Sequence, residues 1–132
     1  MSAVFADSSA FLAHQVSEDR FHGRAVASLA QLDRERAKLV TTSYTLVETY
    51  ALLGRRAGSE AARIFRRDVE PLLHVVWVDE GLHQAGLDTW LDGSRRLSLV
   101  DAVSFVVMRR ERIDQAWSYD SDFESSGFTL LP

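Results

Sequence analysis

The chain contains no cysteine, so a disulfide framework and a thiolate metal site are both excluded, and a reducing compartment suits it. Its four histidines, His14, His22, His74 and His83, show no metal-ligand spacing such as H-E-x-x-H, which leaves them as surface or packing residues. No stretch approaches the ~20 apolar residues of a membrane span. The opening residues, Met-Ser-Ala-Val-Phe-Ala-Asp, carry neither the basic segment nor the apolar core of a secretory signal, and a cytoplasmic protein is expected. Excess positive charge is lacking too. The formal net charge is −4 and the pI is near 5.5, which argues against a protein that coats nucleic acid through a broadly basic face. Repeats, low-complexity segments and linkers are also missing.

What is present suits a single domain over residues 1–132, because 132 residues with 46% hydrophobic content can bury a core without staples. Among the fifteen basic residues only Lys38 is a lysine. The arginines gather at Arg55-Arg56, at Arg63, Arg66 and Arg67, at Arg95-Arg96, and at Arg109, Arg110 and Arg112. Arginine suits bidentate contact with phosphate, although a charge run on a helix is more often a solvated face.

Strand and helix signals alternate along the chain. Val4-Phe5-Ala6 reads as a strand ending at Asp7, with a helix through Ala10-Phe11-Leu12-Ala13. Phe21, Ala25, Leu29 and Leu32, three and four apart, predict an amphipathic helix over 18–37. Leu39 to Thr42 reads as a second strand, followed by a helix capped by Ser43 or Thr45 that runs to Gly54. Gly58-Ser59 restarts a helix that Pro71 ends. Val75-Val76-Trp77-Val78 reads as a strand buried on both faces, and Gly81 to Leu91 as a helix before the Asp92-Gly93-Ser94 break. Ser98 to Arg112 has the composition of a largely buried helix with a basic last turn. Ala116 to Tyr119 and Thr129 to Leu131 complete the strands. Such alternation predicts an α/β fold, a central mainly parallel sheet with helices on both faces. Trp77, Trp90 and Trp117 are expected in the core.

The acids carry the chemical information. Asp7 and Asp120 follow strands, while Glu48 and Asp101 are expected in the first turns of helices, and strand ends share one sheet edge with following helix starts. Four carboxylates then converge in one cleft, a hard oxygen site suited to Mg²⁺ or Mn²⁺ rather than zinc. Each acid also has a plain reading as a helix cap. Ser98-Leu-Val-Asp101 and Thr45-Leu-Val-Glu48 fit the S/T-x-x-D/E capping box, and Asp7 and Asp120 fit N-caps. Capping alone does not require four acids to share an edge.

Asp7-Ser8-Ser9-Ala10, Leu46-Val47-Glu48, the run from Ser98 to Phe105, and Tyr119-Asp120-Ser121-Asp122-Phe123 with Gly127-Phe128 resemble, in order and spacing, a PIN domain of the VapC toxin kind. The resemblance spans essentially the whole chain. It implies a three-layer α/β/α sandwich that cleaves RNA with Mg²⁺ or Mn²⁺, often dimeric and held inactive by a cognate antitoxin. Carried over by position, Asp7, Glu48, Asp101 and Asp120 are the acidic quartet, Ser9 a hydroxyl that helps hold the site, and Asp122 an accessory acid. Bound divalent metal activates water and neutralises phosphoryl charge, which phosphodiester hydrolysis needs. Arginines at the rim then have to supply backbone contacts, since an acidic cleft repels RNA.

Three other classes fit the sequence less well. A receiver domain needs a lysine at the acidic edge, and Lys38 precedes the second strand. A D-x-D phosphatase needs an acid where Ser9 stands. A PIN-fold protein- or RNA-binding module without activity is the stronger rival, and the presence of all four acids argues against it. Surface from Phe21, Leu46, Tyr50 and Phe65 is expected to exceed what one core absorbs, leaving an apolar patch for a second copy or an antitoxin peptide.

Overall fold

The computed structural model describes residues 2–93 and 96–132. Ser94 of the expected Asp92-Gly93-Ser94 break and Arg95 of the expected arginine pair lie outside the described residues. Five strands form one sheet: β1 (Ala3–Ala6), β2 (Lys38–Thr42), β3 (Leu73–Val76), β4 (Gln115–Trp117) and β5 (Thr129–Leu130), in the order β3-β2-β1-β4-β5 with every neighbouring pair parallel. Around them lie α1 (Ser8–Gln15), α2 (His22–Arg34), α3 (Ser43–Ala57), α4 (Ser59–Asp68), α5 (Glu80–Asp92), α6 (Leu99–Arg110) and α7 (Ser121–Ser125).

Side-chain alternation along the strands creates two cores, one on each face of the sheet. Val4, Ala6, Leu39 and Trp117 enter a cluster with Phe11, Leu29, Leu53 and Phe65 from α1 to α4. Phe5, Val40 and Ala116 enter the other, with Leu82, Val103, Phe105, Met108 and Phe123 from α5 to α7. Two cores on two faces give the three-layer α/β/α arrangement expected from the alternating pattern. Strands pass into helices with almost no loop: Asp7 alone separates β1 from α1, and β2 runs straight into α3. Helix starts therefore crowd the carboxyl edge of the sheet, the edge on which open α/β sheets build sites. Lys38, paired with Ala3, begins β2 at the other end of the strands. Among the described residues no helix is long and apolar enough to cross a membrane.

Several local expectations are corrected. Residues 17–21 form turns, and α2 is helical only from His22 to Arg34. The hydroxyl of Thr42 caps α3, accepting from the Thr45 backbone N–H, so neither Ser43 nor Thr45 is the cap. The helix continues through Gly54 and stops at Gly58, whose φ of 85° lies in the left-handed region that glycine tolerates. β3 begins earlier than the Val75–Val78 run and lies at the sheet edge with only part of its surface covered. Trp77, just beyond it, is 71% exposed and Trp90 is 40% exposed, so Trp117 alone of the three is a core residue. The expected patch does not form either. Leu46 and Phe65 are buried, Tyr50 packs edge-on against Phe65 while donating to Glu70, and Phe21 stacks on Tyr119.

Candidate metal centre

Asp7 is held from three sides. Its backbone N–H continues the β1–β4 ladder to the Trp117 carbonyl, and its side chain caps α1. Three donors converge on a single carboxylate oxygen, Oδ2: the Ser9 hydroxyl at 2.7 Å, the Ser118 hydroxyl at 3.0 Å and the Ser9 backbone N–H at 3.3 Å. Those two hydroxyls in turn accept the backbone N–H groups of Tyr119 and Asp120, which fastens the Asp120 loop to the start of α1. Asp120 caps α7, with Oδ1 accepting from the Asp122 N–H at 2.9 Å.

The other two acids come from the flanking layers. Because Thr42 is the cap, Glu48 stands in the second turn of α3 rather than the first, and no Thr45–Glu48 capping box exists. Glu48 accepts instead from the Ser8 hydroxyl at 2.6 Å. Asp101 sits in the first turn of α6, where its backbone N–H donates to the Ser98 hydroxyl at 3.0 Å, one half of the expected capping box. Asp7, Glu48, Asp101 and Asp120 all line one cavity of about 430 Å³. Carboxylate oxygens of Asp101, Asp120 and Asp122 come within 4.8 Å of one another, while Asp7 and Glu48 face the same cavity outside this tightest group. Asp122 is not part of the cavity lining.

The electrostatics fit a cation-binding pocket. Burial pushes the Asp7 carboxyl up to about 6, against the pull of the Ser9 and Ser118 hydrogen bonds. Burial, reinforced by repulsion from Asp7, Asp120 and Glu48, pushes Asp101 up to about 7. With oxygen the only ligand type in the cluster among the described residues, and two carboxyls reluctant to ionise, the group suits a hard divalent cation. Mg²⁺ and Mn²⁺ both meet that requirement.

Sequence reasoning missed several participants. Ser8 and Ser118 were visible only as small polar residues beside an acid, and nothing local tells that one steadies Glu48 and the other Asp7. Phe21, Tyr119, Asp19 and Arg56 also line the cavity, and the first two are brought together by a stacking contact that spans most of the chain.

Comparison with known proteins agrees with this fold. The PIN domain family model matches residues 4–128. The 23S rRNA-specific endonuclease VapC20 of Mycobacterium tuberculosis is 33% identical over 128 residues, covering 95% of each chain. The crystal structure of VapC20, a Sarcin-Ricin loop cleaving toxin, is similar with a TM-score of 0.82 and 32% identity over 96% of each chain. VapBC2 from Rickettsia felis, bound to a DNA fragment from its promoter, shares the fold at a TM-score of 0.72, with 7% identity over 98% of this chain and 97% of that one. With a family match running almost end to end and a VapC relative one-third identical over the same span, the chain belongs to the PIN domain family, of the VapC kind.

Proposed function

We propose that this chain is a metal-dependent endoribonuclease, the toxin of a toxin–antitoxin pair, which hydrolyses RNA phosphodiester bonds at the cavity lined by Asp7, Glu48, Asp101 and Asp120. The observation that carries this reading is the convergence of four carboxylates from separate elements, two of them resisting ionisation, on one cavity. A pocket of that kind is costly unless a cation neutralises it. Mg²⁺ or Mn²⁺, when bound, supplies an activated water and neutralises charge on the phosphoryl oxygens.

Asp101 and Asp120, with Asp122 as the accessory acid, are the ligands nearest one another. Asp7 offers Oδ1, since all three of its hydrogen bonds fall on Oδ2. Ser9 and Ser118 fix the Asp7 plane, and Ser8 holds Glu48 facing the cavity, where its second oxygen can orient a water or take its proton. The likeness to VapC20 supports ribosomal RNA as the substrate class, and a ribosomal substrate is met in the cytoplasm. Val47, Trp77 and Leu91 are exposed apolar side chains, each available to a protein partner, and the likeness in fold to VapBC2 supports the cognate antitoxin as that partner.

The test is incubation of the purified chain with bacterial ribosomes and with their extracted RNA in Mg²⁺, in Mn²⁺ and in EDTA. A discrete product in metal and none in EDTA is expected. Intact RNA throughout, or cleavage that survives the chelator, overturns the reading.

A further inference from the structure

Along one side of the acid cavity the rings of Phe21 and Tyr119 stack 4.7 Å apart at 7°, and both belong to its lining. Two guanidinium groups lie against this pair. Arg20 is over Phe21, 4.4 Å from the ring centroid. Arg24 is 5.5 Å from the Phe21 centroid and 5.3 Å from that of Tyr119, so it sits beside the stack and touches both rings. Both arginines are exposed. Neither has an ion-pair partner among the described residues, whose ion pairs are Arg63–Glu60 and Arg67–Asp68. Asp19, the acid nearest them in sequence, accepts from the Phe21 backbone N–H.

These two cations owe their position to tertiary structure. They stand apart in Glu-Asp-Arg20-Phe-His-Gly-Arg24, outside every arginine cluster of the chain, and are gathered only because Phe21 docks on the residue preceding Asp120. A cavity floored with carboxylates repels a polyanion, so a strand approaching it needs positive charge beside the acids. A guanidinium laid against an aromatic ring has little rotamer freedom left to lose, and its outward fork matches a phosphate. Phe21 already has Tyr119 stacked on it and Arg20 over it, so a base stacking there must displace one of them. Phosphate is the better fit.

We propose that Arg20 and Arg24, held against the Phe21–Tyr119 stack at the side of the acid cavity, grip backbone phosphates of the RNA next to the bond that is cut; this rests on reading the cavity as an RNA-cleaving site. Contact with phosphate is independent of sequence, so a labelled single-stranded oligouridylate serves as the probe. Its binding is measured by fluorescence anisotropy over a salt series in Ca²⁺, which carboxylates also ligate. Arg20→Ala and Arg24→Ala are each expected to weaken binding about three- to tenfold and to flatten the slope of log Kd against log salt by about 0.7. Arg109→Ala is the control, because Arg109 also lies against aromatic rings, but those are Phe105 and Phe128, which, unlike Phe21 and Tyr119, do not line the cavity. It should bind as the wild type does. Wild-type affinity and slope in both rim variants overturn the proposal, as does an equal loss in Arg109→Ala. A rim variant that binds RNA normally but no longer binds a protein partner also overturns it, and marks the stack as a protein-docking surface. Failure of the metal-dependent cleavage test with rim-dependent binding intact removes the enzyme reading and leaves the rim, whereas cleavage with an unchanged salt slope removes only the rim.

Discussion

Ser118 donates its hydroxyl hydrogen to Oδ2 of Asp7 across 3.0 Å and accepts the Asp120 backbone N–H at the same distance, so one small side chain ties two cavity acids together. Replacing it with alanine removes a donor from a buried carboxylate and a partner from the Asp120 loop. Ser118→Ala is expected to cost about 1–3 kcal/mol in EDTA at pH 8, where Asp7 is ionised, and less at pH 5, where it is largely neutral. Thermal melts of both proteins at the two pH values check this. A variant as stable as the wild type at pH 8 contradicts the assigned bond.

The raised carboxyls set the direction of the pH response. In the unfolded chain both acids ionise near pH ~4, while in the folded, metal-free protein Asp7 ionises at about 6 and Asp101 at about 7. Below the unfolded value both states are protonated and these acids carry no penalty. As pH rises through the window from about 4 to about 7 the unfolded chain ionises first, so the metal-free fold loses stability, on the order of a few kcal/mol after solvent screening. A divalent ion binds the ionised carboxylates, so its stabilising effect grows over the same window. Melting temperatures in EDTA and in Mn²⁺ should differ more at pH 8 than at pH 5. Equal differences contradict the cluster's role.

A tight helix contact supports Asp101 from behind. A Cβ added to Gly86 of α5 would lie 2.4 Å from Cγ2 of Val103, two residues after Asp101 on α6. The strain, ~1–3 kcal/mol for overpacking, outweighs the ~1 kcal/mol that alanine gains over glycine in a helix. Gly86→Ala is therefore expected to be destabilised in denaturant titrations. Combining it with Val103→Ala should recover part of the loss, and a purely additive result argues against the close approach.

Much of this architecture is legible in the sequence because it is encoded locally. Val4-Phe5-Ala6 followed at once by Asp7, and the Ser98-to-Asp101 spacing before an apolar run, announce a strand end and a helix start without reference to the rest of the chain. The errors fall where tertiary position decides. Val75 to Val78 looks like a central strand by composition, yet its place at the sheet edge leaves Trp77 in solvent. Gly54 resembles a helix stop, but the helix contacts of α3 carry it on to Gly58, where a positive φ is required. Glu48 falls one turn deeper than expected because Thr42, last in its strand, takes the cap from Thr45. Phe21 joins Tyr119 from the other end of the chain, a pairing no window of sequence reveals.

The most direct measurement is a Mn²⁺ titration and an RNA cleavage assay run side by side on the wild type and Asp101→Asn. Asparagine keeps the size and leaves the Ser98 cap bond to the backbone intact, so the fold should lose no more than ~1 kcal/mol and gains stability if relief of carboxylate repulsion dominates. If the acids hold the cation, the variant binds Mn²⁺ far more weakly and cleavage falls by orders of magnitude, while its stability in EDTA stays within ~1 kcal/mol of the wild type's or rises above it. A variant that binds Mn²⁺ and cuts RNA like the wild type would show that Asp101 is a helix-end residue and that the metal centre is not there.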